Sequence, residues 1–76
     1  MKYYYVITDI EDTLTRIPSV YSVEAESKTE ANAIFLQAFL PLIDLNRIDL
    51  TEIASIFRDY DYEIFMFDES NINTLK

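Results

Sequence analysis

The eight residues Tyr3-Tyr-Tyr-Val-Ile-Thr-Asp-Ile10 limit what this chain can become more than any other part of it. β-Branched and aromatic side chains suit a pleated strand, and here both alternating faces are apolar, with Tyr3, Tyr5 and Ile7 on one and Tyr4 and Val6 on the other. Such a strand belongs in the middle of a sheet. The 76 residues allow a single domain, 1–76, near the size at which one core becomes marginal, since a chain of about 60 residues buries only about 60% of its unfolded surface. Half the residues are hydrophobic and six Tyr and five Phe are present, so the chain has the means to fold despite its charge.

The elements that follow can be read from spacing. Glu11-Asp-Thr13 is polar and suits a turn, and Pro18 confines strand pairing beside it to an edge or a bulge. Residues 19–25 alternate, with Tyr21, Val23 and Ala25 on one face and Ser22 and Glu24 on the other, which predicts a half-exposed strand. Ser27-Lys-Thr-Glu30 has capping-box spacing and should open a helix. Its core stripe is expected at Ala31, Ile34, Phe35, Ala38 and Phe39, and Pro41 should end it near Leu40. The segment from Leu42 to Ile48 has no clear pattern.

Asp49-Leu-Thr-Glu52 repeats the capping arrangement ahead of a second, shorter helix with Leu50, Ile53, Ala54 and Phe57 on its core stripe. Residues 61–67 alternate again, Tyr62, Ile64 and Met66 against Asp61, Glu63, Phe65 and Phe67, and predict a third strand. The polar tail from Asp68 is expected to fray. The expected fold is a small α+β domain of order ββααβ, with a three-stranded, largely antiparallel sheet and both helices on one face. One helical layer covers one sheet face only, so an exposed apolar surface is expected at Tyr4, Val6, Phe65 or Phe67.

Composition excludes several chemistries. With no Cys and no His, disulfides, thiolate zinc sites and imidazole bases are out, and without Gly the common phosphate-cradling loops are out too. Fourteen acidic against six basic residues give a net charge of -8, which opposes direct binding to nucleic acid or anionic lipid and favours a positive partner. No apolar run approaches the ~20 residues of a membrane span and Met1-Lys-Tyr3 does not open a signal peptide, so a cytoplasmic protein is expected.

The stretch Tyr5-Val-Ile-Thr-Asp-Ile-Glu-Asp-Thr-Leu-Thr15 resembles the first motif of haloacid dehalogenase-type phosphatases, which would make Asp9 the nucleophile and Glu11 the acid/base. The family's Gly position is Asp12 here, and an alternating strand follows where the family needs a helix and a long parallel sheet. A non-enzyme without cofactor is therefore expected. A calcium loop over residues 59–70 is set aside because Ile64 and Ser70 occupy the positions that need Gly and a bidentate acid.

The acids then read as a binding surface. In an extended segment, Asp59, Asp61 and Glu63 would form a row spaced about 6.6 Å apart, flanked by Tyr60 and Tyr62, suited to a phosphate-binding groove. Asp9, Glu11, Asp12, Glu24, Glu26, Asp68 and Glu69 are further partner-binding candidates. Their simplest alternative role is solvated surface charge. The run Val23-Glu-Ala-Glu-Ser-Lys-Thr-Glu-Ala31 resembles a strand-to-helix pattern in short phage and mobile-element proteins, including the DpnD/PcfM-like group. More broadly, the small acidic chain is similar in type to anti-restriction and anti-CRISPR inhibitors. That resemblance implies a nucleic-acid mimic that blocks a basic nucleic-acid-binding surface of a host defence enzyme. The alternative is a homodimeric structural or adaptor protein joined through the apolar sheet face.

Overall fold

A computed structural model describes residues 1–10 and 18–75. Three strands, β1 (Lys2–Asp9), β2 (Ser19–Glu24) and β3 (Tyr62–Asp68), form one antiparallel sheet in the order β2-β1-β3, with helices α1 (Lys28–Phe39) and α2 (Ile53–Arg58) between β2 and β3 in the chain. The strand that is apolar on both faces takes the centre. The register places Tyr5 between Tyr21 and Met66, and Val6 between Val20 and Phe65. The turn expected at Glu11-Asp-Thr13 lies outside the described residues.

The helices cover one face. Tyr3, Tyr5 and Ile7 of β1 are buried against them together with Ile64, Ala25, Ala31, Phe35, Leu36, Ile53 and Phe57. Aromatic rings fill the centre of this layer. Tyr5 and Phe35 stack with centroids 4.2 Å apart and planes within 2°, and Phe35 and Phe39 carry the contact on to Phe57. Such pairs contribute about 0.5–1.5 kcal/mol each beyond their buried area. The thinnest dimension is 17 Å, which accommodates a sheet and one helical layer.

Ser27 caps α1 as its spacing predicts, its hydroxyl accepting the Glu30 N–H at 3.1 Å. The helix stops ahead of Pro41, where Leu40 donates to the Leu36 carbonyl at 2.7 Å. Its buried face differs from the expected stripe. Ile34 and Ala38 are exposed, whereas Asn32 and Leu36 are buried.

The reason is that α1 is apolar almost all round, so periodicity leaves its rotation open, and a hydrogen-bonded polar group decides it. Tyr5 hydroxyl donates to Asn32 Oδ1 at 2.7 Å, and Asn32 Nδ2 donates to the Leu50 carbonyl at 2.8 Å. One amide thus ties the central strand, α1 and the entry to α2, and turning Asn32 outward would leave a buried hydroxyl unpaired. Burial, with Tyr3 nearby, pushes the Tyr5 hydroxyl up to about 12.

Asp49 also caps, but it caps a 3-10 turn, Leu50–Glu52, that runs directly into α2. Its carboxylate accepts the Thr51 N–H at 2.9 Å and the Thr51 hydroxyl at 2.6 Å, which lowers its pKa. The patternless segment before it holds a 3-10 turn at Leu45–Arg47, capped by Asp44. Ala54 of the expected α2 stripe is exposed; Ile53 and Phe57 are buried. The tail does not fray at Asp68. A 3-10 turn over Glu69–Asn71 follows, with Asp68 N–H donating to Asn71 Oδ1 at 3.1 Å and Ser70 N–H donating to Asp68 Oδ1 at 2.8 Å.

Candidate functional site

The acidic candidates divide between the two ends of the sheet. At one end, Asp9 lies across from Tyr62 and Glu63 across from Thr8, and the Ile10 N–H donates to the Asp61 carbonyl at 2.9 Å. Asp9, Asp59, Asp61 and Glu63 therefore surround the entry to β3, with Tyr60 half exposed among them. Tyr62 sits on the helix side, its ring edge-on to Phe39 at 5.5 Å, and serves the rim of the core.

Residues 59–61 are not extended. Asp59 keeps helical backbone angles (φ -64, ψ -19) after α2, Tyr60 N–H donates to the Phe57 carbonyl, and Asp61 N–H donates to the Arg58 carbonyl. The even row of carboxylates expected for an extended 59–63 segment is thus replaced by a turn. Reversing from α2 into β3 takes one residue in the left-handed region, Asp61 at φ 64, and in a chain without Gly an Asp is among the residues that tolerate it best.

At the opposite end stand Glu24, Glu26, Asp68 and Glu69. Tyr3 pairs with Asp68, and Tyr3 and Asp9 are six residues apart along β1, so the two acidic groups are separated by about 20 Å. Several acids at this end already have local partners. The Met1 ammonium lies 3.2 Å from Glu24 Oε1, Glu69 Oε1 accepts the Lys2 N–H at 3.2 Å, and Asp68 caps the final turn. The Ser70 hydroxyl and N–H, with Lys28 adding a smaller attraction, hold the Asp68 carboxyl below its ordinary value. Glu11 and Asp12 lie outside the described residues.

Between the two acidic ends is the open face of the sheet. Register puts Tyr4, Val6, Val20, Phe65 and Phe67 there, with Lys2, Thr8, Ser22, Glu24 and Glu63 around them. Phe65 is 57% exposed and Val20 60%, and the Tyr4 and Phe67 rings stack at 5.2 Å. No described element packs over this face; α1 and α2 are on the other. Tyr4, Val6, Phe65 and Phe67 are the residues the sequence pattern points to. Val20 was missed although it shares the phase of Ser22 and Glu24, because only the pairing of β2 with β1 sets it beside Val6 on the open face.

No group of three or more carboxylates among the described residues is arranged to hold a metal ion, and no described helix is long and apolar enough to cross a membrane. What the arrangement can do is bind: a flat apolar centre supplies contact area, and carboxylates at its ends supply attraction to positive charge. No family model matches the chain, and neither a curated protein nor a solved structure is significantly similar to it.

Proposed function

We propose that this protein is a non-enzymatic acidic inhibitor that seats its open sheet face on a basic, nucleic-acid-binding surface of another protein and blocks it. A restriction or CRISPR effector is the partner class in view. The observation that carries the reading is the open-face patch of half-buried Tyr4, Val6 and Phe67 with exposed Val20 and Phe65, bounded at both ends by carboxylates, on a chain of net charge -8.

Size favours such a partner over a second copy. Three strands about 4.8 Å apart and about four residues of each make an apolar patch of roughly 200 Å², whereas a stable interface covers about 800 Å² per partner. The contact must extend over the acidic ends. A basic surface satisfies them, while a second copy brings its own -8.

The test is displacement of a labelled DNA duplex from purified restriction and CRISPR effectors, repeated across salt concentrations. Displacement that weakens steeply with salt, and that is lost in Phe65→Asp and in the double variant Asp61→Asn/Glu63→Gln, supports the reading. Affinity that stays level from low to high salt refutes it.

The stacked Tyr4–Phe67 pair beside exposed Phe65 favours one second reading, a homodimer through the same face. Sedimentation would then show a tight dimer that Phe65→Asp dissociates and the acid substitutions leave intact.

A further inference from the structure

We propose that the free edge of β2 is a second, independent binding site, which takes an extended segment of a partner protein as a fourth strand. The segment is apolar at alternate positions and carries Lys or Arg at its N-terminal end. This site uses the edge of the sheet and the helix side, so it does not rest on the role given to the open face.

The backbone is available. Met1 and Ala25 exchange both hydrogen bonds, at 3.0 and 3.1 Å. That pair sets the phase of the antiparallel ladder, in which hydrogen-bonded and non-bonded pairs alternate. Ser19, Tyr21 and Val23 therefore direct their N–H and C=O groups at β1, and Val20, Ser22 and Glu24 direct theirs outward. Among the described residues no strand lies beyond β2. Within Ser19–Glu24 no Pro or Lys blunts the edge in the ways that usually prevent strand addition.

The side chains have a place to go. A groove of about 240 Å³ runs between β2 and α1, lined by Tyr21, Val23, Ile34, Phe35, Ala38 and Phe39. It exists because Asn32 sets the rotation of α1 and leaves Ile34, 42% exposed, and Ala38 turned away from the core. A strand added to β2 would project every second side chain toward this groove, the arrangement by which edge strands beside a helix recognise extended peptides.

Charge complementarity identifies the occupant. Glu26 and Glu30 lie where β2 gives way to α1, with Lys28 between them in the chain, and Glu30 precedes Ile34 by one turn on the same stripe of the helix, whereas Glu24 projects to the open face and pairs with the Met1 ammonium. An antiparallel segment has its N-terminal end at this mouth, hence the Lys or Arg there. A second copy fits less well. Antiparallel pairing of two β2 strands through these outward groups sets Glu24 opposite Val20 and Ser22 opposite Ser22, so the acidic mouth meets no positive charge among the described residues of a second copy.

The experiment is fluorescence anisotropy with a labelled synthetic peptide, Lys-Arg-Thr-Val-Thr-Ile-Thr-Val, against the purified chain. Saturable binding is expected. Methylating alternate backbone nitrogens of the peptide should weaken it about tenfold or more, a readout that leaves the protein untouched. Ser22→Pro removes one outward N–H at an edge position where Pro is tolerated. With an unchanged circular dichroism spectrum it should weaken binding about tenfold, as should Ile34→Glu. Glu30→Gln should flatten the salt dependence, and the reversed peptide should bind more weakly. The proposal fails if the peptide does not saturate by about 1 mM, if N-methylation has no effect, or if sedimentation shows dimers that Ser22→Pro dissociates, because the edge then belongs to a second copy. Ile34→Glu, on the helix side and away from the open face, should leave the duplex-displacement result unaffected while this binding is lost.

Discussion

The two faces of the sheet are built from the same three strands and nearly the same residue types, yet only one is a core. Tyr5 is fully buried and its neighbour Val6 faces the opposite side, beside Phe65 at 57% exposure. Both faces have strand-forming aromatic and β-branched residues. What separates them is coverage: α1 and α2 lie on one side, and no second helical layer covers the other among the described residues, which span 17 Å in their thinnest dimension. Hydrophobic composition therefore states where water must be excluded, and the supply of covering elements states whether the chain does it alone or needs a partner.

Substitutions across the two faces should separate by magnitude. Phe57→Ala and Leu36→Ala, at fully buried positions, should each destabilise by about 2–5 kcal/mol, read as a lower urea midpoint. Phe65→Ala on the open face should shift stability by under about 1 kcal/mol. Equal losses on both faces would show that something covers the open one.

Asn32→Ala should cost about 1–3 kcal/mol by leaving the Tyr5 hydroxyl buried and unpaired. Adding Tyr5→Phe should recover part of that loss, and a double-mutant cycle with no coupling would remove the link between this amide and the helix rotation. The same hydroxyl gives a pH signature. Its folded pKa is raised from 10.0 to about 12, so its contribution is whole below pH 10 and disappears as pH rises toward about 12. In Tyr5→Phe, alkaline unfolding should lose that component.

Asp49→Ala should destabilise through loss of its cap, read as a lower urea midpoint. Its folded pKa lies below the ordinary 3.8, so the capping contribution is present above pH 3.8 and is lost as pH falls below it. An acid denaturation curve identical to wild type in Asp49→Ala would contradict this.

The smallest effect is a gain. Asp61→Gly relieves a non-Gly residue at φ 64 and should raise stability by up to about 1 kcal/mol. It also deletes one carboxylate, so weaker duplex displacement in a more stable protein would separate the charge at 61 from its structural role.

Much of the fold was legible because local rules agree with one another. β1 is apolar on both faces and is central; Ser27 and Asp49 cap; Pro41 follows the end of α1. The misreadings arise where a local pattern had several solutions. The stripe of α1 was drawn through Ile34 and Ala38, since nothing in a helix apolar on all sides marks Asn32 as the residue facing in. The acidic row at Asp59, Asp61 and Glu63 required residues 59–63 to be extended, and the reversal after α2 used the first three of them for a turn ahead of a strand that starts at Tyr62. The candidate site was legible in its members more than in its layout. Tyr4, Val6, Phe65 and Phe67 were identifiable by parity, whereas the division of the acids into two groups depended on which strand ends the register brings together.

The three strands and two helices, the central place of β1 and the surplus of negative charge follow from residue types and spacing alone, because they depend on neighbours within a few positions or on simple addition. The rotation of α1, the turn at Asp61, the open edge of β2 and the placing of carboxylates at both ends of an apolar face were decided by tertiary structure. Each depends on groups far apart in the chain that must share hydrogen bonds or exclude water together, and one buried amide reaching from Tyr5 to Leu50 outweighed the weak preference of the helix for any other face.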